Sequence, residues 1–286
     1  MSNLFISNIY YKTVVDKGSK IPRPHFIRYY DDLYQLEREE SVDSESHLAG
    51  AQLSYAELGD IIFQDCKLNK LKKMLDLMVV TYWSHEFDPD HACGAYFCHR
   101  HGLNCRILDI CDQGILSPFT AFLLIKNYME YGGVKNALLL SMDQTTIPRS
   151  LSYSNILPEI SSVSAIHLTL RQIGEKGCEI IYSDVVSGLD EKKVTEYLHG
   201  LIHILSINKA QVHCFSDDRD KKLQHELSIN FLNTTAIIFK MNSVEPIAYL
   251  LRKSLSNKNN LKQRYYALIK KDVDSNDFGI LILKIG

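Results

Sequence analysis

The sequence predicts an α/β fold, and three observations support this prediction. Short apolar runs alternate with longer segments of helical periodicity along most of the 286-residue chain, which is the pattern of strands connected by helices. Hydrophobic residues make up 45% of the chain and charged residues 23%, as in ordinary globular domains. A strand–turn–helix–strand unit at 107–140 shows the pattern most clearly, and a second unit near the C-terminus resembles it.

The unit at 107–140 contains a buried strand, a tight turn, a buried helix and a second strand. Pro118 suits the first helical turn, because the N–H that proline lacks would have no partner there. The pair Gly132-Gly133 suits the helix end, where positive φ is favoured. In α/β proteins the turn after such a strand lies in the crevice that carries chemistry. The turn Cys111 to Ser117 is therefore the first place to look for a site.

The other elements follow from apolar periodicity, β-branched content and the positions of Gly and Pro. The predicted strands are 4–11, 74–83, 165–170, 179–182, 210–215, 235–239, 265–269 and 279–285. The predicted helices are 55–66, 88–101, 192–205, 217–227 and 244–255. Strands 165–170 and 179–182 are expected to form a hairpin, and the alternation of strands and helices predicts substantially parallel pairing.

A repeated pattern predicts two similar halves. The segment Ile238 to Leu251 resembles Leu108 to Leu124, since each is a strand, a turn and a proline-initiated helix with an aromatic–Leu–Leu core. A duplicated α/β unit and a chance match between two buried strand–helix units are both open at this point. We expect an N-terminal half at 1–150, with a polar surface excursion at 15–47, and a C-terminal half at 151–286.

Charge and composition exclude several classes of partner. The net charge of -2 at pH 7 gives no reason to expect nucleic acid or an anionic membrane surface as a partner. No apolar run approaches the ~20 residues that span a bilayer, and the N-terminus lacks the pattern of a signal peptide. The seven cysteines are irregularly spaced, so reduced thiols in a cytoplasmic protein are expected.

A group of His, Cys and Asp residues between positions 85 and 105 raises the question of a zinc site. Its members are His85, Asp88, Asp90, His91, Cys93, Cys98, His99, His101 and Cys105. Cys93 and Cys98 lie in a predicted helix at a spacing that does not place both thiols on one face. No second Cys-x2-Cys pair completes a tetrahedral site. A chance accumulation on a surface helix is favoured over a metal site.

Three stretches resemble the thiolase superfamily and, within it, the β-ketoacyl-ACP synthase III family. Residues 76–102 (DLMVVTYWSHEFDPDHACGAYFCHRHG) are similar to the family's strand, TPD turn and following helix. Asp109, the helix after it and YGGVKNALLLSMD are similar to the nucleophile strand, its helix and the next strand, and DFGILILKIG is similar to the closing strand. The resemblance implies a thiolase-like fold with two duplicated βα halves in a layered α-β-α-β-α arrangement.

The resemblance also implies a reaction and the positions that should carry it. In the family a cysteine at the turn before the central helix takes an acyl group from a thioester, and a His and an Asn promote decarboxylation of a malonyl unit. The nucleophile position corresponds here to Gly114 or Ile115, neither of which is a nucleophile. The His-Gln-Ala-Asn turn corresponds to Phe215 to Asp218, and Asn242 alone is retained from the Gly-Asn-Thr turn.

The two glycine-rich loops of the family are also replaced, by 161–164 and 272–276. Without glycine there, the close backbone approach that forms part of an oxyanion hole is lost. The combined loss of nucleophile, histidine turn and glycine loops argues against condensation chemistry.

Three functions are compatible with these departures. The first is a catalytically degenerate synthase III-like subunit of cytoplasmic acyl, polyketide or other specialised-metabolite biosynthesis. It would be a homodimer or pair with an active ketosynthase homologue, with an acyl-carrier protein as a further partner. The second is an acyltransferase or ester-forming enzyme that uses Cys111 or Asp112, assisted by His213 and Asn242. The third is a protein that binds acyl-CoA or acyl-ACP. This is the one class of ligand expected, and no cofactor and no metal are expected.

Each of these candidate residues also has a structural interpretation. Cys111 is then a structural thiol at a strand end, and His213 is a hydrogen-bonded histidine within a buried strand. Asp112 is a helix cap or a dimer contact.

Overall fold

The structure is a computed structural model that describes residues 2–14, 23–38, 45–64, 66–82, 84, 86, 88, 90, 93–111, 113–146, 158, 160–172, 177–237, 247–248, 250, 264–272 and 275–286. The strands are β1 (Ser2–Val14), β2 (Leu77–Tyr82), β3 (Arg106–Ile110), β4 (Asn136–Asp143), β5 (Ser161–Gln172), β6 (Cys178–Val186), β7 (Val212–Asp217), β8 (Asn233–Ile237), β9 (Arg264–Lys271) and β10 (Phe278–Ile285). The α-helices are α1 (Pro24–Arg38), α2 (Tyr55–Phe63), α3 (Cys66–Lys72), α4 (Cys93–His101), α5 (Ser117–Tyr131), α6 (Glu191–Ile204) and α7 (Lys221–Asn230).

The strands form one mixed sheet in the order β3-β2-β4-β5-β1-β6-β10-β9-β7-β8. Counted inward from either edge, the two halves have the same arrangement. The two outer pairs of each half are parallel, and the two inner pairs are antiparallel. β1 and β6 pair antiparallel at the centre. The repeat agrees with the expected fold of two duplicated βα halves, whereas most of the segment 238–251, in which the sequence repeat was noted, lies outside the described residues.

Three apolar clusters fill the space between the layers of the molecule and pack them together. The central cluster packs α5 against one face of β2 and β4 and also against β10 and β9 of the other half. A second cluster joins α2 and α4 to the other face of β2 and β4, and a third joins α6 and α7 to β7, β9 and β10. Adjacent residues of β2 divide accordingly, since Val79 faces the central cluster and Val80 the outer one. The layers therefore follow the expected α-β-α-β-α order.

The helices of the N-terminal half are fixed by local sequence signals. Ser54 and Glu57 form a capping box at the start of α2. Glu86 adds a second carboxylate there, which accepts the N–H of Tyr55 at 2.9 Å. Gly59 of α2 lets Phe97 of α4 approach the helix backbone, since a Cβ on Gly59 would lie 2.1 Å from the ring.

The structure corrects the predicted strand pairing. The expected hairpin of 165–170 and 179–182 is wrong, because β1 lies between β5 and β6 and pairs with both. Parallel pairing is confined to the three outer strands of each half, because β5 and β10 run against their neighbours. The first set of five strands extends to the end of β5, beyond the residue 150 at which the sequence divided the halves.

Two helices were missed by the sequence patterns. The polar excursion 15–47 contains α1, whose Phe26 and Tyr30 are buried, and the Tyr30 hydroxyl donates to the carbonyl oxygen of Glu86. α3 lies just before the strand predicted at 74–83. Most of the predicted helix 244–255 lies outside the described residues. No helix in the part of the chain that the structure describes is long and apolar enough to cross a bilayer.

Candidate functional site

From Gly114 to Ser117, the turn before α5 offers no free nucleophilic side chain. Gly114 has a φ of +51° and begins a short 3-10 helix that leads into α5. Ile115 and Leu116 are buried in the central cluster. The hydroxyl of Ser117 is fully buried and donates to the carbonyl oxygen of Gly114 at 2.7 Å. The positive end of α5, which would activate a thiolate, is therefore occupied by glycine and by buried side chains.

Cys111 lies at the carboxyl end of β3, before this turn, and is exposed. Its side chain is hydrogen-bonded to Tyr82 at the end of β2. Burial, followed by the neighbouring Cys111 and Asp109, raises the pKa of Tyr82 well above its usual range. The candidates Asp112 and Asn242 lie outside the described residues, so their roles stay predictions.

His213 lies near the amino end of β7, on the C-terminal half. Its Nε2 is 2.7 Å from the hydroxyl of Thr235 on β8, and its ring stacks on Phe215 with 4.6 Å between centroids. The crevice end of β7 is at Asp217, roughly 13 Å further along the strand at about 3.3 Å per residue. These are the contacts of a structural histidine. Its assistance to Cys111 stays a prediction that these contacts do not support.

A charge cluster lies at the carboxyl ends of β7 and β9, where the resemblance would place the histidine turn. Lys270 Nζ donates to Asp217 Oδ2 at 2.7 Å, and the two side chains are only 3% and 8% exposed. Arg219 donates to both carboxylate oxygens of Asp217, at 2.9 Å from Nε and 2.5 Å from Nη2. One carboxylate therefore holds two cations through charge-assisted hydrogen bonds.

The pKa values of this pair are set by burial and by charge together. Burial alone would raise the pKa of Asp217, but the hydrogen bonds from Arg219 and the charge of Lys270 outweigh it and hold the pKa at about 2. Burial lowers the pKa of Lys270, and the charges of Asp217 and Asp143 partly oppose that effect. Asp217 is ionised at neutral pH, and Lys270 loses its proton more readily than an exposed lysine.

A chain of buried polar groups continues from Lys270 into the N-terminal half. Asp143 at the end of β4 is inaccessible to solvent, and its charge acts on Lys270. The next residue, Gln144, donates to Ser84 Oγ at 3.3 Å, and Ser84 Oγ lies 2.8 Å from the hydroxyl of Tyr55. Burial raises the pKa of Tyr55 well above its usual range. The charge of Asp143 therefore acts on Lys270 across the boundary between the two halves.

A cavity of about 440 Å³ opens beside the charge cluster. It lies between the carboxyl ends of β7 and β9 and the N-termini of α6 and α7. Its lining residues are Glu191, Asp217, Arg219, Asp220, Lys221, Lys222, Leu223, Lys270, Lys271 and Asp272. Five of these side chains are cationic and four are carboxylates, so the charged groups around the cavity have a small surplus of positive charge.

Asp272 connects the cavity to the turn before α5. A Cβ built on Gly114 would lie 3.9 Å from Asp272 Oδ1, so this carboxyl group faces the start of α5. Its other oxygen accepts the hydroxyl of Ser275 at 2.9 Å. A carboxyl group therefore lies in the segment that the resemblance matches to a glycine-rich loop, where backbone N–H groups would stabilise an oxyanion.

The sequence patterns missed the pair of Asp217 and Lys270. They assigned Asp217 to a surface helix and ended the strand at Ile269, which left both charges outside the sheet. In the structure β7 includes Asp217 and β9 extends to Lys271. The available signal was a pair of lysines after one apolar run and a pair of aspartates after another.

The described cysteines of the 85–105 group are explained by packing. The Cys93 thiol donates to Glu86 Oε2 at 3.3 Å, and burial raises its pKa. Burial likewise raises the pKa of Cys105, to about 11. Among the residues that the structure describes, no group of three His, Cys, Asp or Glu side chains could hold a metal ion. His85 and His91 are outside those residues.

No protein-family model and no curated protein matches the sequence. Solved structures, in contrast, match over nearly the whole chain. The 3-oxoacyl-(acyl carrier protein) synthase III FabH from Pseudomonas aeruginosa PAO1 matches with a TM-score of 0.62 at 10% identity, covering 99% of this chain and 98% of that chain. The acyltransferase ChlB3 matches with a TM-score of 0.66 at 10% identity and the same coverage.

A variant of OleA from Xanthomonas campestris, solved with bound lauric acid and lauroyl-CoA, matches with a TM-score of 0.63 at 9% identity, covering 99% of each chain. At such identities the likeness concerns the fold. The strand order and the layers described above agree with these matches. The chain therefore has the α/β thiolase-like fold of the synthase III and OleA structures.

Proposed function

We propose that this chain is a non-condensing subunit of synthase III type that pairs with an active ketosynthase homologue in cytoplasmic acyl, polyketide or other specialised-metabolite biosynthesis. The turn before α5 carries the proposal. Gly114 and Ile115 occupy the position that the resemblance assigns to the nucleophile, and the hydroxyl of Ser117 is engaged with the helix start. No acyl-enzyme can form on such side chains.

The electrostatics of the same turn support the proposal. Acyl transfer develops negative charge on the thioester oxygen, which N–H donors stabilise, and removal of one such donor costs roughly 10²–10³ in rate. Here the carboxyl group of Asp272 faces Gly114. A carboxylate at this place would repel the developing charge. Two nearby cations, Lys270 and Arg219, are already paired with Asp217.

The edge strand β3 supports pairing with a second subunit. It is the first strand in the sheet order, so one side of its backbone has no neighbouring strand in the described part of the chain. Its Ile107, Leu108 and Ile110 are half-buried in the single chain. An open edge with apolar side chains favours addition of another strand. We therefore propose that the subunit interface lies on β3, because the resemblance implies a dimer in which strands of the two subunits pair.

Two structures of the same fold support a ligand class for this proposal. The OleA neighbour binds lauric acid and lauroyl-CoA, and the FabH neighbour is a 3-oxoacyl-(acyl carrier protein) synthase. We propose that the pair of subunits acts on acyl-CoA or acyl-ACP, and that this chain shapes the site of its partner.

The pairing is tested by co-expression with a ketosynthase homologue that has an intact cysteine. We expect a one-to-one complex by light scattering, and condensation activity above that of the homologue alone. Leu108→Lys on β3 should weaken the complex at least about tenfold, since a buried charge costs more than 1.4 kcal/mol. Ile204→Lys is the matched control, because Ile204 is 78% exposed on α6. Absence of a complex, or condensation by the isolated chain, would refute the proposal.

One observation favours a second candidate, an acyltransferase that uses Cys111. This thiol is exposed and hydrogen-bonded to Tyr82. Such an enzyme would become acylated on Cys111 without a partner, so the isolated chain distinguishes the two functions.

A further inference from the structure

Lys270 is a buried amine that the pairing proposal does not use. It lies in β9 with a side chain 3% exposed, and it lines the cavity of about 440 Å³ at the carboxyl ends of β7 and β9. Few lysines are this deeply buried, and a buried lysine is the usual source of a reactive amine. A small molecule in the cavity would lie against this side chain, because Lys270 is one of the lining residues.

We propose that Lys270 is the reactive amine of a carbonyl-binding site, where it forms an imine with a small anionic aldehyde or ketone such as a 2-oxo acid. The proposal goes beyond the pairing function and does not depend on it, since every group that it needs lies within this chain.

The reaction balances without any additional reagent. The ammonium of Lys270 releases a proton to the water of the cavity, and the neutral amine adds to the carbonyl carbon. The resulting carbinolamine loses its hydroxyl group as water and takes up one proton. The net change is ammonium plus carbonyl to protonated imine plus water.

The charge of Asp217 selects this class of ligand over acyl donors. A protonated imine carries the same positive charge as the ammonium, so the ion pair with Asp217, now at 2.7 Å, is preserved. Acylation would convert Lys270 to a neutral amide and remove one of the two cations from a carboxylate that is 8% exposed. Loss of one partner of a buried pair is strongly unfavourable, so carbonyl compounds are favoured over thioesters.

One cation of the cavity is available to an anionic ligand, although the carboxylates Asp220 and Asp272 line the cavity as well. Arg219 and Lys270 are engaged with Asp217, Lys271 donates to Glu191 at 2.6 Å, and Lys221 donates to Asp218 at 2.7 Å. Within the described residues Lys222 has no ion-pair partner, and it lines the same cavity. A carboxylate on the ligand would pair with Lys222. Cavities of this volume suit small ligands.

The protonation state supports the same assignment. Burial lowers the pKa of Lys270, and only the neutral amine attacks a carbonyl group. At a pH below the pKa of both Lys270 and an exposed lysine, each unit by which the pKa of Lys270 is lowered increases its neutral fraction about tenfold.

The test is reductive trapping on the full chain. The protein is incubated with pyruvate and sodium cyanoborohydride at pH 7, and modified lysines are identified by peptide mass mapping over time. We expect one dominant adduct, on Lys270, formed at least about tenfold faster than on Lys192, an exposed lysine of α6 (73% exposed). Lys270→Arg keeps the charge opposite Asp217 and should abolish the dominant adduct, whereas Lys192→Arg should retain it.

Two results would overturn the assignment. If Lys270 stays unmodified, or reacts no faster than Lys192, an imine-forming site is excluded. This comparison uses the wild-type protein, so it decides the question even if the Lys270→Arg variant does not fold. Propanal, a neutral aldehyde of similar size, is intrinsically more reactive than pyruvate, so the two reagents are compared through the ratio of the labelling rate of Lys270 to that of Lys192. This ratio should be higher with pyruvate than with propanal, and equal ratios would refute the anionic selectivity. Neither readout depends on a partner subunit, so the result is independent of the pairing proposal.

Discussion

Asp217 accepts hydrogen bonds from a lysine and an arginine although it is only 8% exposed. At the scale of single residues this carboxylate lies in the segment that the resemblance matches to the His-Gln-Ala-Asn turn. A buried carboxylate with two cations resists protonation. It therefore makes the stability of the fold depend on pH in acid.

We expect the free energy of unfolding to fall as the pH drops from about 4 to about 2. The pKa of Asp217 is about 2 in the folded chain and 3.8 ordinarily, so the unfolded state binds more protons in this window. The contribution is fully present above pH 4 and is lost as the pH falls through the folded pKa. It amounts to about 2 kcal/mol. Urea unfolding between pH 2 and 6 measures it, and Asp217→Asn should lack this part of the slope; an unchanged slope would show that the pair is not formed.

Lys270→Met should destabilise the protein by about 3 kcal/mol, because it leaves Asp217 buried with one of its two cations removed. The matched control is Lys284→Met. Lys284 is 32% exposed and 3.6 Å from Glu179, and such a partly exposed pair contributes about 1 kcal/mol or less. Urea unfolding at pH 7 compares the two variants. Equal effects would mean that Asp217 does not depend on Lys270.

At the scale of elements, the contact between α2 and α4 depends on a missing side chain. Gly59 lies under the ring of Phe97, which is fully buried and packed against Phe63. Gly59→Ala should therefore destabilise the protein by about 1–3 kcal/mol through overpacking. Thermal unfolding measures the change.

Gly200→Ala on α6 is the control for this variant. A Cβ on Gly200 meets no atom within 4 Å, so the better helix propensity of alanine should stabilise the protein by about 0.5–1 kcal/mol. If both alanine variants raised the stability, the close approach of α2 and α4 would be wrong.

Element positions could be predicted from the sequence where the signals are local. The apolar run before Tyr82, the proline at 118 and the glycines at 132–133 place β2 and α5 within a few residues. Which strands are neighbours could not be predicted, because an apolar run does not specify its partner. The hairpin error arose in this way, since β1 is far in sequence from the two strands that it separates. β9 was predicted too short because a charged pair usually ends a strand.

At the scale of the whole molecule, the strand order repeats in two halves although the sequence shows only one repeated unit. The fold constrains which faces are apolar and leaves most side chains free. The family resemblance alone matched Gly114 and Ile115, which carry no nucleophilic group, to the nucleophile position. The cluster of Asp217, Arg219 and Lys270 was not visible, because its members come from two strands and a turn that only the folded chain brings together.

The most direct test of the non-condensing function is intact-mass measurement of the isolated, purified chain after incubation with lauroyl-CoA. We predict no covalent acyl adduct on the chain or on its Cys111→Ser variant, because the start of α5 carries no thiol and Ser117 is engaged with Gly114. A ketosynthase with an intact cysteine serves as the positive control in the same buffer. A hydroxylamine-sensitive lauroyl adduct on Cys111 of this chain would contradict the prediction and would establish the chain as an acyltransferase in its own right.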